Sequence, residues 1–291
     1  MAQPALAVSP HEGGFGADIE GIDLSQGASG DQLAAIRRAW DRHLVLRIRG
    51  QTLTDRQLVD FSAGLGVLDR APPAADTRQG SPEADYVITV SNVIEDGMPI
   101  GVLGNAEAFW HADMTYNPVP PSGSILYALE VPAAGGDTQF ANLYRAYETL
   151  PEGLKAAVAD KVCIHDASLT SAGTQRHGYA EVKSPDQAVG ARHPLVKTHP
   201  GTGRPHLFLG RRKNAYVVGL DVAESDALLD ALWAHATQPA FVWTQQWRVG
   251  DLVMWDNMAT LHRRFSFDQS ARRVMHRTQI GEAYRHDRLP A

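Results

Sequence analysis

Apolar and polar positions in this chain fall into short runs whose period changes repeatedly, and each period predicts an element. Leu33, Ile36 and Trp40 recur at helical spacing behind Ser29 and Asp31, either of which can cap a helix. The apolar run at residues 44–48 then reads as a strand, and a second helix begins near Thr54 with Leu58, Phe61 and Leu65 as its core stripe. Residues 15–24 read as a strand and turn, residues 86–91 as a further strand, and helices are expected around 143–160 and 222–236. Residues 241–243, 252–255, 260–265 and 274–280 continue the strand pattern, with Gly250 and Asp268 in turns. No internal repeat interrupts the series. Short strands punctuated by turns, with helices packed outside, predict an α+β fold that is mainly β: a jelly-roll, or double-stranded β-helix, with flanking helices.

One stretch breaks the pattern. Residues 166–192 hold few large apolar side chains and many Ser, Thr, Gly and Ala, which predicts a loop or lid rather than a core element. Without a linker-like low-complexity segment, residues 1–291 are expected to form a single domain, since β-rich barrels of this size are routinely one unit.

Composition narrows the function classes. At 44% hydrophobic and 21% charged residues the chain has material for a large core. A net charge of −6 argues against nucleic acid or an anionic membrane surface as partner, while leaving room for a local basic pocket that takes a small anion. The single cysteine, Cys163, permits no intrachain disulfide and reads as a packing residue, which suits a reducing compartment. The first ten residues lack a basic segment followed by an apolar one, and no run reaches the length of a membrane span, so the cytoplasm is the expected location.

The candidate chemistry begins with His111 and Asp113. With 12 His and 22 Asp among 291 residues, composition alone predicts roughly one His-x-Asp, so the motif by itself says little. If the segment is a strand, both side chains lie on one face about 7 Å apart and converge only where the strand bends. With the distant His262 they make two imidazoles and one carboxylate, which occupy one face of an octahedral non-haem iron(II) and leave three positions open. A structural zinc site would instead be closed, usually by cysteines. Eleven residues after His262 stands Arg273, and Arg277 shares its face if residues 272–280 are a strand. An arginine forks onto a carboxylate with two parallel hydrogen bonds, so a buried one beside a metal suits a dicarboxylate.

The segments Trp110-His111-Ala112-Asp113, Gly135-Gly136-Asp137-Thr138, Gly250 to Asn257, Leu261-His262-Arg263 and Arg272 to Arg277 together resemble the taurine/dichlorophenoxyacetate dioxygenase family of iron(II)- and 2-oxoglutarate-dependent oxygenases, over nearly the whole chain. Flanking pieces at residues 64–66, 91–93, 104–105 and 194–200 bring it closer to the aryloxyalkanoate branch. The resemblance implies the same jelly-roll. It makes His111, Asp113 and His262 the iron ligands, Thr138 and Arg273 the holders of the distal carboxylate of 2-oxoglutarate, and Arg277 a substrate contact. It also implies dioxygen as cosubstrate, ascorbate as a candidate stimulant, decarboxylation of 2-oxoglutarate to succinate, and hydroxylation of a substrate carbon; an ether or sulfonate on that carbon makes the product fragment. Halogenating relatives carry a small residue where Asp113 stands, so hydroxylation is expected here. By analogy the enzyme is expected to form a homo-oligomer.

Other residues keep two readings at this point. His199 either reaches the substrate anion from a strand end or is a partly exposed hairpin histidine, and Asn105 stands in the same position. Trp255 packs near the motif and can also line the cosubstrate pocket, Trp110 packs beside a ligand, and Arg211-Arg212-Lys213 reads as a solvated charge cluster. The segment from Arg70 to Glu83 should line the entrance by resemblance, but it offers no lysine anchor. The leading expectation is therefore an oxygenase of an aryloxyalkanoate or related carboxylate. A taurine or alkylsulfonate dioxygenase is the alternative, and a non-enzymatic metal or 2-oxo-acid sensor the third.

Overall fold

A computed structural model describes residues 6–13, 15–71, 82–104 and 108–282. Two sheets carry the site. In the larger, strands run in the order Ala7–Pro10, Ala17–Glu20, Val45–Ile48, Leu252–Asp256, Gly123–Glu130, Val274–Glu282, Ile88–Ser91 and Val102–Leu103, with Val67–Leu68 paired to the end of Val274–Glu282. The smaller runs Val242–Gln245, Thr138–Asn142, Thr260–Arg264 and Ala108–His111. A third, of Gly190–Pro194, Val162–Asp166 and Tyr216–Val217, flanks them.

Period-two alternation sorts the side chains of the large sheet between two cores. Ile125, Tyr127, Leu252 and Met254 pack under the helices Gly30–His43 and Asp55–Ala63, against Ile36, Trp40, Leu58 and Phe61. Leu126, Ala128, Val253 and Trp255 point the other way, toward Phe140 of the small sheet and Met275. The space between the sheets is thus walled on both sides by buried strand residues.

The predicted helices form where their caps stand. Ser29 rather than Asp31 caps the first, its side chain accepting from Gln32 N–H while Gln32 returns the bond; Thr54 and Gln57 do the same for the second. The helix expected over 143–160 is two, Leu143–Glu148 and Glu152–Val158, because Pro151 disfavours helical geometry at Leu150 and takes the N-cap position of the second piece, with no side-chain capping bond. Asp221 and Glu224 cap Val222–Ala236.

Gly123–Glu130, the strand at the centre of the large sheet, escaped the pattern reading. Its first six residues are all buried, so its apolar side chains follow one another without the alternation that marks a half-exposed strand. Residues 166–192 are also more built than a bare loop: Leu169 and Gln175 pair across a tight turn, and Pro185–Gln187 forms a 3-10 turn before the strand Gly190–Pro194.

Candidate active site

His111 ends its strand and stands directly opposite His262 on the neighbouring one, so the register puts both imidazoles on the cavity side, their ring centroids 4.1 Å apart. Asp113 is not on the strand. The chain turns after His111, with Met114 at φ 51°, and this is the bend that convergence requires. Asn257 fixes the turn: its Oδ1 accepts from Asp113 N–H at 2.7 Å, and its Nδ2 donates to the carbonyls of Asp113 and Pro121, each at 2.9 Å. The result brings Asp113 Oδ1 to 3.6 Å from His111 Nε2 and Oδ2 to 3.7 Å from His262 Nε2. Among the described residues these three are the one group of His, Cys, Asp and Glu whose ligand atoms converge, all within 4.8 Å.

Protonation states fit a divalent metal, which needs neutral imidazoles and an ionised carboxylate. Burial, reinforced by His262, holds His111 well below the usual imidazole range. Burial likewise lowers His262 to about 4, against the opposing pull of Asp113. Burial alone would raise Asp113, but Arg277 first, then the two histidines, outweigh it and hold the carboxyl well below its ordinary value. The His111 Nδ1 lies 2.7 Å from the Phe109 carbonyl and donates to it, which leaves Nε2 as the free electron pair.

The same cavity, of about 270 Å³, is bordered by Thr138, Trp255, Arg273 and Arg277 as well as the triad. Arg273, Met275 and Arg277 follow the period of the strand Val274–Glu282 and its approach, so the two arginines share a face as the sequence predicts. Arg273 is 2% exposed, and its Nε has no hydrogen-bond partner among the described residues. Burial and then the nearby Arg264 pull its guanidinium down to about 9. No carboxylate among the described residues forms an ion pair with it. Thr138 Oγ1 accepts from Trp247 Nε1 at 3.0 Å, so its own hydrogen remains to donate. Gly136, at φ 71°, lies so close that an added Cβ would stand 3.5 Å from Arg273 Nε. A cation without a counter-ion beside a free hydroxyl is suited to a carboxylate. Arg277 Nη2 donates to Asp113 Oδ2 at 2.5 Å and to Ser124 Oγ at 3.0 Å, and its guanidinium lies 5.7 Å from the Trp255 ring.

His199 does not join this group. It is fully buried away from the cavity, where its Nδ1 accepts from Gly201 and Thr202 N–H and its Nε2 donates to Asp256 Oδ2 at 2.8 Å. Asp256 in turn accepts from Met258 and Ala259 N–H, so His199 braces the turn that leads into the His262 strand. The expectation that it contacts substrate is corrected accordingly. Asn105, and most of the segment from Arg70 to Glu83 including Pro72 and Pro73, lie outside the described residues. Trp110 packs outward beneath Arg263, at 4.8 Å.

Several cavity residues were given no site role by the sequence. Arg264, two residues after His262, is buried and donates to the Gly104 carbonyl at 3.0 Å. Arg176 and Tyr116 border the cavity, as do Thr170 and Ser171 of the expected lid. Arg211, expected to be solvated, borders it too, because its backbone pairs with the distant His111, a contact that no local signal in the sequence displays. Arg212, next to it, is the solvated residue, paired with Asp226 and Asp230.

Comparison with known proteins agrees with this geometry. A model described as "Taurine catabolism dioxygenase TauD, TfdA family" matches residues 7–279. The chain is 36% identical over 279 residues to the alpha-ketoglutarate-dependent 2,4-dichlorophenoxyacetate dioxygenase of Cupriavidus pinatubonensis, covering 90% of this chain and 93% of that one. It is 33% identical over 287 residues to the (S)-phenoxypropionate/alpha-ketoglutarate-dioxygenase of Delftia acidovorans, covering 96% of each. Among solved structures, AAD-2 in complex with Mn(II) and N-oxalylglycine superposes with a TM-score of 0.77 at 31% identity, over 95% of this chain and 97% of that one. A taurine dioxygenase from Burkholderia xenovorans gives a TM-score of 0.77 at 32% identity, over 96% and 90%.

Proposed function

As a member of the TauD, TfdA family, the chain is an iron(II)- and 2-oxoglutarate-dependent dioxygenase, and we propose that it hydroxylates an aryloxyalkanoate or a related small carboxylate. The observation that carries the reading is the placement of Arg273, which has no ion pair among the described residues, and of the Thr138 hydroxyl, whose hydrogen is left to donate, on the same cavity as the His-Asp-His triad. Iron(II), with 2-oxoglutarate and dioxygen, supplies the oxidising power that couples decarboxylation to succinate with hydroxylation of a C–H bond.

The protein's own residues bind and orient. His111, Asp113 and His262 would hold the iron(II). Arg273 and Thr138 take the distal carboxylate of 2-oxoglutarate, with Trp247 fixing the Thr138 hydroxyl and Trp255 forming a wall. Arg277 faces the substrate carboxylate. The apolar side chains Ile88, Val90, Val102 and Leu126 accept the rest of the substrate, and the turn around Thr170 and Ser171 covers it from water. Where the hydroxylated carbon also carries an aryl ether oxygen, the product is a hemiacetal that releases the phenol. On this reading the nine-stranded and four-stranded sheets are the two halves of a double-stranded β-helix, all in one domain, and residues 166–192 close it as a lid. The alkylsulfonate reading has weaker support, because the relatives with 36% and 33% identity are named for dichlorophenoxyacetate and phenoxypropionate.

The test is succinate formation with iron(II), ascorbate and 2-oxoglutarate across aryloxyacetates, aryloxypropionates, taurine and alkylsulfonates, with H111A as control. Stimulation by an aryloxyalkanoate that H111A abolishes is the expected result. Stimulation by sulfonates alone would move the enzyme to the other branch, and tight 2-oxoglutarate binding without succinate from any compound would favour a sensor.

A further inference from the structure

Once Arg273 and Arg277 have been assigned, Arg264, Arg211 and Arg176 remain as cations on the cavity wall, and the last two gather on one aromatic ring. Arg211 donates from Nη1 to the Leu169 carbonyl at 2.7 Å, and its Nε is buried with no partner among the described residues. Arg176 places its guanidinium 4.0 Å from the centroid of the Tyr116 ring, and Arg211 approaches the same ring at 5.7 Å. Both arginines and Tyr116 border the cavity. No carboxylate among the described residues forms an ion pair with either arginine. Asp113, which Arg277 already pairs, and then Asp166 act on Arg211 only at a distance; Asp166 Oδ2 is engaged by Ser168 and Asn214.

Two guanidinium groups gathered on one aromatic ring repel each other, and a desolvated cation without a counter-charge is destabilising. Such an arrangement is stabilised when an anion bridges the pair. The 2-oxoglutarate carboxylate cannot serve, being held at Arg273 and Thr138 on the reading above. Arg277 enters from the strand Val274–Glu282 of the large sheet, whereas Arg211 pairs with the end of the His111 strand and Arg176 stands just past the Leu169–Gln175 turn. An apolar lining, including Val90, Leu126 and Met114, lies on the same cavity.

We propose that Arg211 and Arg176 form a second anion subsite, so that the preferred substrate is a dianion with an apolar body, one acidic group facing Arg277 and the other facing the Arg211–Arg176 pair over Tyr116. This rests on the oxygenase reading and sharpens its substrate class: a simple aryloxyacetate fills only half of the charged positions. Arg211 is then a specificity-determining residue, and its bond to Leu169 couples the occupied subsite to the covering turn.

The experiment is a calorimetric titration of the protein loaded with Mn(II) and N-oxalylglycine, comparing phenoxyacetate with phenoxyacetates that carry a meta or para ring carboxylate. The wild type should bind at least one dianion tenfold or more tightly than phenoxyacetate. R211Q and R176Q should bring that affinity ratio close to one, and R211K should restore part of it. A wild type that binds all probes alike, or none, overturns the proposal. So does an R211Q variant that weakens both classes equally, because Arg211 then only anchors the turn through Leu169. Affinity is read without turnover, so a dianion preference combined with no succinate formation on any substrate would leave the subsite standing and remove the oxygenase reading instead.

Discussion

Arg273 shows how a residue can be costly to the fold and still be required. Its guanidinium is buried without an ion pair among the described residues, a state that stabilises nothing until a carboxylate arrives. R273Q is therefore expected to weaken 2-oxoglutarate binding by about 10-fold to 150-fold, the equivalent of roughly 1.5–3 kcal/mol for lost charge-assisted hydrogen bonds. The ligand-free variant should melt no lower than the wild type. Calorimetric titration and a thermal melt read the two effects separately, and unchanged 2-oxoglutarate affinity would remove Arg273 from the site. Asn257 works in the opposite sense, since it touches no ligand and yet holds the Asp113 turn through three buried hydrogen bonds. N257A should cost about 1–3 kcal/mol of stability, because the groups it leaves stay buried. It should also lower metal affinity by roughly 10-fold to 100-fold, as losses behind a metal ligand do. Denaturant unfolding together with Mn(II) titration checks both. Asp113 and His111 were legible only with their flanking motifs, since the spacing alone is expected about once by composition. Asn257 was visible only as part of a motif, because its partners lie 144 and 136 residues away.

Among the elements, the decisive one is the central strand that sequence periodicity did not reveal. Gly123–Glu130 pairs with Leu252–Asp256 on one side and Val274–Glu282 on the other, and so joins the strand carrying Trp255 to the strand carrying Arg277. Ser124, which receives Arg277, lies on it. Gly123 is needed where the strand passes the first helix: an added Cβ would collide with the Trp40 ring and stand 2.8 Å from the Trp255 carbonyl. Neither a fully buried indole nor a ladder carbonyl can yield, so G123A should destabilise by about 1–3 kcal/mol, the usual cost of overpacking. A Gly123→Ala protein with wild-type stability would show that the helix slides on the sheet more freely than this packing implies. Capped helices lie at the other extreme of legibility. Ser29, Thr54 and Asp221 act on neighbours three residues ahead, a range that sequence displays directly.

For the whole molecule, buried neutral histidines set the acid limit. Burial holds His165 well below its ordinary value and His206 at about 4, while in the unfolded chain both titrate near 6.5. Below pH 6.5 the unfolded chain takes up protons that the folded protein refuses, so stability falls as pH falls. For His206 the loss is complete near pH 4. Each such group contributes a slope of up to about 1.4 kcal/mol per pH unit inside its window. The metal ligands His111 and His262 behave alike in metal-free protein, and a bound metal keeps both neutral in the folded state, so Mn(II) should raise stability across the range without flattening the slope. Denaturant midpoints from pH 8 to pH 4.5, with and without Mn(II), measure this; a stability maximum below pH 6 would contradict it. No helix among the described residues is long and apolar enough to cross a membrane.

The sequence by itself determined the elements with local signals, the mainly-β class and the residue types of the metal triad with its two following arginines. The elements depend on periodicity and caps, which are properties of one stretch of chain, whereas the triad, with His262 standing 149 residues after Asp113, was read from its residue types together with the resemblance of the flanking motifs. Tertiary structure alone decided which polar side chains face the cavity. It sent His199 into a buried pair with Asp256, turned Arg211 inward while its neighbour Arg212 stays at the surface, and set Arg176 over Tyr116. A cation or an imidazole reads the same in sequence whether it is solvated, paired or left facing a ligand. Only the arrival of distant strands and turns around it fixes which of these the fold requires.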